Sequence, residues 1–411
     1  MPLPRSVPWS LVTLLVACAS APLLPLETAA RSPWSVPREP APSEAAPSEP
    51  APREPAPREA APPPPSAFAA LPGWGEDDLA EALPALRRTC ERLLRVPDDR
   101  PVGPGGLAGA ASDWKSACRA LPPPGSDAAA ARAWCERSFV PMSVASGGSD
   151  RGLFTGYYEP ELHGSRTRSR RFRVPLYGRP SDLLPATSRH GTARRVGGRL
   201  RPYWTRAQIV AGALRRTARP LVWVDDAIDA FFLEIQGSGR VALDDGTVLQ
   251  INYDASNGRA YVPLGRVLIE RGALERGAVS LQSIRAWLVA HPAEAQSVMN
   301  QNPSYVFFHE SARGATGAEG VVLTPGRSMA VDTRFIPLGA PLFVDLEALE
   351  GVGPIRRLVV AQDTGGAIRG LVRGDLFWGA GPDAYERAGR MQQQGRYWLL
   401  VPPSVAARVR W

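Results

Sequence analysis

The chain is 411 residues long, 44% hydrophobic and 21% charged, with a formal net charge of +8. That length accommodates two domains of ordinary size, and the apolar content excludes a wholly disordered chain. The basic balance suits an acidic polymer as partner, whereas the absence of any RNA- or DNA-reading motif argues against nucleic acid.

The first element in chain order is a targeting segment. Arg5 supplies a positive start, and the apolar run from Leu11 to Ala17 ends at Cys18. The run is too short to span a bilayer as a helix, and small residues before a cysteine suit cleavage of a signal peptide over 1–17. Leu15-Val16-Ala17-Cys18 resembles a bacterial lipobox, in which the cysteine becomes a lipidated N-terminus. A Pro-rich linker over 18–66 follows, and from about Arg31 to Ser66 it repeats Pro, Ala, Glu and Arg with almost nothing to bury. Such a segment predicts an extended tether that holds a folded part near a membrane and lets it reach outward.

Residues 74–139 predict helices. Asp77 and Asp78 place negative charge where a helix starts, and Leu79, Leu83, Leu86, Leu93 and Leu94 recur at near-helical spacing. A Gly/Pro-rich break at 101–106 precedes further helices at 114–121 and 128–139. Cys90, Cys118 and Cys135 remain after Cys18; an oxidising compartment allows one disulfide, with Cys90–Cys118 the favoured pair. No Cys/His spacing matches a zinc site, so neither a metal nor a cofactor is expected.

After Val140 the character changes to short runs rich in Val, Tyr, Phe and Leu between Gly, Pro and Asp turns. Strands are predicted at 154–158, 173–177, 231–235 and 321–323, with a hairpin at Asp245-Gly246. Helices are predicted at 205–213, 262–270 and 280–291 from their apolar 3–4 spacing. This is the pattern of β-barrels built from short strands.

The sharpest signals lie in the last hundred residues: a run from Gly326 to Gly339 containing Asp332, a run from Ala361 to Gly370 containing Asp363, and Arg373-Gly374-Asp375-Leu376-Phe377-Trp378-Gly379. Singly, an aspartate beside glycine is usually a turn residue. In combination, Gly365, Gly366 and Gly370 admit a ligand close to the backbone. Phe377 and Trp378 offer Asp375 an apolar wall, which raises a carboxyl pKa towards what a general acid needs.

These segments resemble the three-aspartate, double-psi β-barrel domain of the membrane-bound lytic murein transglycosylase A family. The resemblance runs over residues 154–400 and takes in Thr155-Gly156-Tyr157-Tyr158-Glu159-Pro160, the segments 233–239 and 258–261, and 301–308. It implies a mainly β fold with N-terminal helices: a double-psi barrel domain from two segments, 67–160 and 309–411, and an inserted second β-barrel domain, 161–308, lining the substrate groove. The implied activity is cleavage of the MurNAc–GlcNAc β-1,4 bond of peptidoglycan with formation of 1,6-anhydromuramoyl ends, Asp375 serving as acid and then base. Asp363 is the second catalytic candidate, orienting the loop or substrate or adjusting Asp375, and Asp332 a structural acid. Thr155, Tyr158 and Glu159 are expected along the other side of the groove, and Gln236, Gly237, Ser238 and Gly239 against sugar groups. Arg373-Gly374 stands where some relatives carry His-Phe, and Glu159 where some carry threonine. A carboxylate at Glu159 across the cleft would suit a hydrolase giving reducing ends; a non-catalytic, lipid-anchored peptidoglycan-binding protein is the reading from another class. The expected partners are peptidoglycan glycan strands, the membrane through Cys18, and other cell-wall enzymes, at the periplasmic face of the outer membrane.

Overall fold

In the computed structural model the described residues are 67–187 and 190–408. The expected signal peptide, lipidated Cys18 and Pro-rich linker lie outside them. Three helices open the fold: α1 (Leu83–Leu94), α2 (Ala111–Arg119) and α3 (Ala128–Ser138). Just ahead of α1, the Asp78 carboxylate caps a short turn by accepting from the Ala80 amide at 3.1 Å. Leu79, Leu83 and Leu86 are buried, as their spacing requires. A Cys90–Cys118 disulfide ties α1 to α2, and Cys135 stays a buried free thiol.

Seven strands make the first sheet: β1 (Val140–Ser143) and β2 (Gly152–Glu159) from one end of the fold, then β11 (Ser328–Val331), β12 (Pro341–Leu349), β13 (Gly353–Asp363), β14 (Arg373–Ala380) and β15 (Gln392–Val401) from the other. The order β15-β12-β13-β11-β14-β2 closes because β2 pairs back onto β15, while β1 runs along the remaining part of β15. The result is a closed six-stranded barrel, so none of its six strands is left as an open edge. The pairs β11–β13 and β14–β2 are parallel and the rest antiparallel. Leu342, Val344, Val359, Leu376 and Leu399 share one face of the barrel strands, Phe343, Leu358 and Val360 the other, and all are buried with residues of the three N-terminal helices in one apolar core.

Between β2 and β11 the chain builds a second sheet. Its strands are β3 (Glu161–Ser165), β4 (Val174–Tyr177), β7 (Pro220–Val224), β8 (Ser238–Leu243), β9 (Val248–Ser256) and β10 (Val306–Glu310), in the order β10-β9-β8-β3-β7-β4. A bridge between Gly178 and Phe308 brings the end of β4 back to β10. A separate hairpin holds β5 (Ala193–Val196) and β6 (Arg199–Pro202). The Asp245-Gly246 turn joins β8 to β9, with Gly246 at φ 83°, a conformation open to glycine. Helices α4 (Arg206–Val210), α5 (Ala227–Gln236), α6 (Leu264–Glu270), α7 (Leu281–Ala290) and α8 (Pro292–Met299) interrupt this part; α9 (Pro382–Arg390) precedes β15 and α10 (Pro403–Ala406) follows it.

Two predicted strands are corrected. Residues 231–235 belong to α5: Asp226 accepts from the Ile228 and Asp229 amides at its start, and Gly237 at φ 82° ends it. A short apolar run reads alike as buried strand or buried helix, and here the caps decide. Residues 321–323 form no strand; Val322 makes only an isolated bridge to Thr316.

Candidate active site

The register of the barrel strands sets the site. Asp375 on β14 pairs with Ala330 on β11 on one side and with Thr155 on β2 on the other. Ala330 also pairs with Asp363 at the end of β13, and Thr155 with Gln392 at the start of β15. Paired residues in adjacent strands share a face. Asp363, Ala330, Asp375, Thr155 and Gln392 therefore form one row across five strands, with a small residue between the two acids. Asp363 and Asp375 are two strands apart, about 10 Å along the hydrogen-bonding direction. A one-residue slip in any strand would turn that strand's member of the row to the opposite face.

Asp375 is half-buried. Thr155 Oγ1 donates to its Oδ1 at 2.6 Å. Burial pushes its carboxyl up to about 6; the Arg373 charge and the Thr155 hydrogen bond oppose this, and the Asp363 charge adds to it. Arg373, two residues earlier and so on the same face of β14, donates to Thr155 Oγ1 at 2.8 Å and to the carbonyls of Leu153 and Gly374. Phe377 extends the apolar wall beside Asp375, its ring 5.2 Å from that of Tyr157. Trp378, expected in the same wall, does not join it: strand alternation turns it to the other face, into the barrel core, with its indole N–H against Met391 Sδ.

Asp363 is held by three donors: the Ala318 and Thr364 amides, each 2.9 Å from Oδ1, and the Tyr157 hydroxyl, 2.9 Å from Oδ2. Burial raises its pKa against these bonds. Asp332 lies apart, fully buried. It accepts from the Gly370 amide at 2.8 Å and from the Arg334 amide and guanidinium, which hold its carboxyl well below the usual range. Its carbonyl takes the Phe335 and Ile336 amides, so it shapes that turn.

The expected other side of the groove is rearranged. Thr155 is the strand neighbour of Asp375 and bonds it directly, so it does not face it across a cleft. Strand alternation puts Tyr157 on the Asp375 face and Tyr158 on the opposite one, where Tyr158 is buried against Tyr385 with ring centroids 5.5 Å apart. Glu159 is 3% exposed. Its carboxylate accepts from Arg240 Nε at 2.9 Å and from the Gln250 side-chain amide, both on the second sheet. It clamps the barrel strand to β8 and β9 and does not line the groove.

The segment 236–239 is the junction of α5 and β8. Gln236 Oε1 accepts from the Tyr158 amide at 3.0 Å, Gly237 is the left-handed helix cap, and Ser238 is buried. A side chain at Gly239 would strike Leu233 and the Pro160 carbonyl, so packing demands glycine there. Of the four, Gln236 reaches a cavity of about 570 Å³ also lined by Phe231, Ile235, Tyr261, Arg276 and Gln392. Tyr261 stands near Asp375; burial, with the Asp375 charge, pushes its phenol up to about 12. Arg373, Tyr157, Tyr261 and Gln392 thus join the site without a role assigned from the sequence. Arg373 and Tyr157 carried a signal, their two-residue offsets from Asp375 and Thr155; Gln392 carried none, because only barrel closure brings it there.

Two family models match the chain: the MltA specific insert domain over residues 153–309 and the 3D domain over 327–401. The membrane-bound lytic murein transglycosylase A of Vibrio cholerae serotype O1 is 34% identical over 282 residues, 66% of this chain and 72% of that protein. Among solved structures, the membrane-bound lytic murein transglycosylase of Agrobacterium tumefaciens matches with a TM-score of 0.77 at 32% identity, covering 84% of this chain and 99% of that one. Escherichia coli MltA with bound chitohexaose matches with a TM-score of 0.59 at 29% identity, covering 81% and 91%.

Proposed function

This chain belongs to the membrane-bound lytic murein transglycosylase A family, and on that premise we propose which of its residues carry the reaction. The enzyme is a lytic transglycosylase: it cleaves the MurNAc–GlcNAc β-1,4 bond of peptidoglycan strands and leaves 1,6-anhydromuramoyl ends. Most glycosidases need two carboxyl groups because one must protonate the leaving oxygen while the other attacks or activates water. Here the nucleophile is the C6 hydroxyl of the muramoyl residue itself, so one carboxyl serves twice. Protonated Asp375 gives its proton to the glycosidic oxygen as the C1–O bond breaks. The resulting carboxylate takes the proton of the C6 hydroxyl as that oxygen bonds to C1.

The observation that carries this assignment is the half-buried Asp375 with its raised carboxyl, at the centre of a row that holds no second free carboxylate within a strand of it. At pH 6 about half of such a group is protonated, against about 1% for an unshifted aspartate. The rate is expected to fall as pH rises through about 6, because the first step needs the acid form. Asp363, already tied to three donors, positions the loop after β13 and adds negative charge that favours the protonated form of Asp375. Asp332 is structural. Gln236 and the neighbouring cavity extend the groove for sugar or peptide groups.

Glycan strands are the partner, in keeping with the Escherichia coli relative holding chitohexaose, and the enzyme is associated with the cell envelope. We further assign a lipid anchor at Cys18 on the periplasmic face of the outer membrane, residues 18–66 as its tether, and other cell-wall enzymes as partners. We assign 67–160 with 309–411 to the catalytic barrel domain and 161–308 to the inserted domain. The test is mass spectrometry of muropeptides released from sacculi by the wild type and by Glu159→Gln. Anhydro ends from both support the single-acid reading. Reducing ends that vanish in Glu159→Gln would replace it with a hydrolase. Glu159→Gln is expected to lower the melting temperature, since Arg240 loses its buried partner, while the product stays anhydro.

A further inference from the structure

We propose that Arg373 is a positioning residue that acts on Asp375 through the Thr155 hydroxyl, setting the balance between the acid form that gives the first proton and the carboxylate that takes the second. The inference rests on Asp375 being the acid and base.

The geometry is a relay. Arg373 Nη2 donates to Thr155 Oγ1 at 2.8 Å, and Thr155 Oγ1 donates its single proton to Asp375 Oδ1 at 2.6 Å. The hydroxyl has one proton and accepts with its lone pairs. An arginine that fills the acceptor side therefore leaves the proton aimed at the carboxylate. Donors and acceptors joined in a chain polarise one another, so a cation behind the hydroxyl makes it a stronger donor to Asp375. The guanidinium is fixed on its other side by the Leu153 and Gly374 carbonyls. It has no carboxylate partner of its own among the described residues, and it stays charged despite its burial.

The alternative arrangement, a direct Arg–Asp ion pair, would serve this chemistry poorly. An arginine in contact with an aspartate lowers the carboxyl pKa by about 1–3 units and fills its proton-accepting positions. With Thr155 interposed, the cation moves one hydrogen bond further away, and Oδ2 of Asp375 has no hydrogen-bond partner among the described residues. The other groups facing Asp375 are Tyr157 on β2, Asp363 on β13 and Tyr261 after β9, none of them cationic. Arg373 is thus the positive charge available to favour the carboxylate. Against burial, which favours the acid, it keeps Asp375 within reach of both protonation states.

The experiment is the pH dependence of kcat/KM for release of anhydro-muropeptides, together with infrared titration of the Asp375 carboxyl, assigned by subtraction of an Asp375→Asn spectrum. Arg373→Gln removes the charge and keeps a neutral donor. It is expected to move the alkaline limb, and the infrared pKa, upward by about half to one pH unit. Arg373→Lys, which keeps the charge, is expected to restore most of that shift. Thr155→Val is expected to shift the limb in the same direction, and Arg373→Gln added to it to have less than its full effect, because the two act as one chain. An unchanged or lowered limb in Arg373→Gln would overturn the proposal, and full additivity with Thr155→Val would overturn the relay. If Arg373→Gln fails to fold, Thr155→Val beside the wild type decides it: no upward shift there rejects the relay. Retained activity in Asp375→Asn would sink the acid–base reading instead, and the infrared titration would still report whether Arg373 governs this carboxyl.

Discussion

Asp375→Asn is expected to lower release of 1,6-anhydro-muropeptides from sacculi by about 10²–10⁴-fold, the usual contribution of a positioned acid–base group. Asparagine can still accept the Thr155 hydrogen bond, so the row keeps its shape and the loss reports proton transfer. The same variant is expected to be more stable at pH 7. Burial raises the folded carboxyl to about 6 from a model-compound value of 3.8. Between these values the unfolded chain has lost a proton that the folded chain retains, so the wild type loses stability as pH rises across that window. Asparagine, neutral throughout, escapes the loss, with a gain of at most about 3 kcal/mol. An inactive but equally or more stable variant in urea unfolding would fit the assignment. A variant that is inactive because it is less stable would point to a structural Asp375, and one with near wild-type turnover would remove it from the mechanism.

Arg327→Met is expected to give the largest loss of stability, about 3–5 kcal/mol, because it leaves a buried carboxylate without its cation. Arg327 grips Asp77 with two bonds of 2.9 Å, takes Glu81 at 2.8 Å, and donates to the Leu358 and Asp78 carbonyls. Both Arg327 and Asp77 are almost fully buried. The pair joins the chain ahead of α1 to the start of β11 across 250 positions of sequence. The double variant Arg327→Met/Asp77→Asn is expected to recover part of the loss. The uncompensated charge is gone, and the asparagine side chain can still accept the Leu358 amide that now bonds Asp77 at 2.8 Å. Equilibrium unfolding of the three proteins would show it; a double variant no better than the single one would mean that geometry, not charge, holds this joint.

The Arg327 joint also shows what the long aspartate-bearing motifs encode. Ser328 donates to Gln362 Oε1 at 2.6 Å, and the Gln362 amide donates to the Ala85 carbonyl and Thr89 hydroxyl on α1. Arg327, Ser328 and Gln362 stand in the two most distinctive segments of the sequence, yet all three dock the N-terminal helices onto the barrel. Of the three aspartates, Asp375 accepts from the Thr155 hydroxyl, Asp363 is pinned by three donors, and Asp332 is locked to Arg334. A linear reading weighs them alike because each stands beside glycine or a strand end, and their tertiary partners alone separate them.

What the sequence determined by itself is local or repeated in the chain. The leucine spacing into α1, the Asp245-Gly246 turn, and Thr205 and Ser280 at the starts of α4 and α7 depend on neighbours within a few positions, and the order of the family's motifs is read directly along the chain. The face of β14 that carries Asp375 also follows from strand alternation, which keeps Arg373 and Phe377 beside it and takes Trp378 out of the apolar wall expected of it. Tertiary structure decided whatever depends on register between distant strands. Parallel pairing of β14 with β2 set Thr155 beside Asp375, closure of the barrel brought up Gln392, and the second sheet captured Glu159 with Arg240 and Gln250. Helix caps at Asp226 and Gly237 turned an apolar run into α5 and moved Gln236 to a helix end. The physical reason is common to the strand pairings: a side chain's face is fixed by its own backbone, but its partner is fixed by which strand lies alongside and in what register, and a slip of one residue exchanges the whole set.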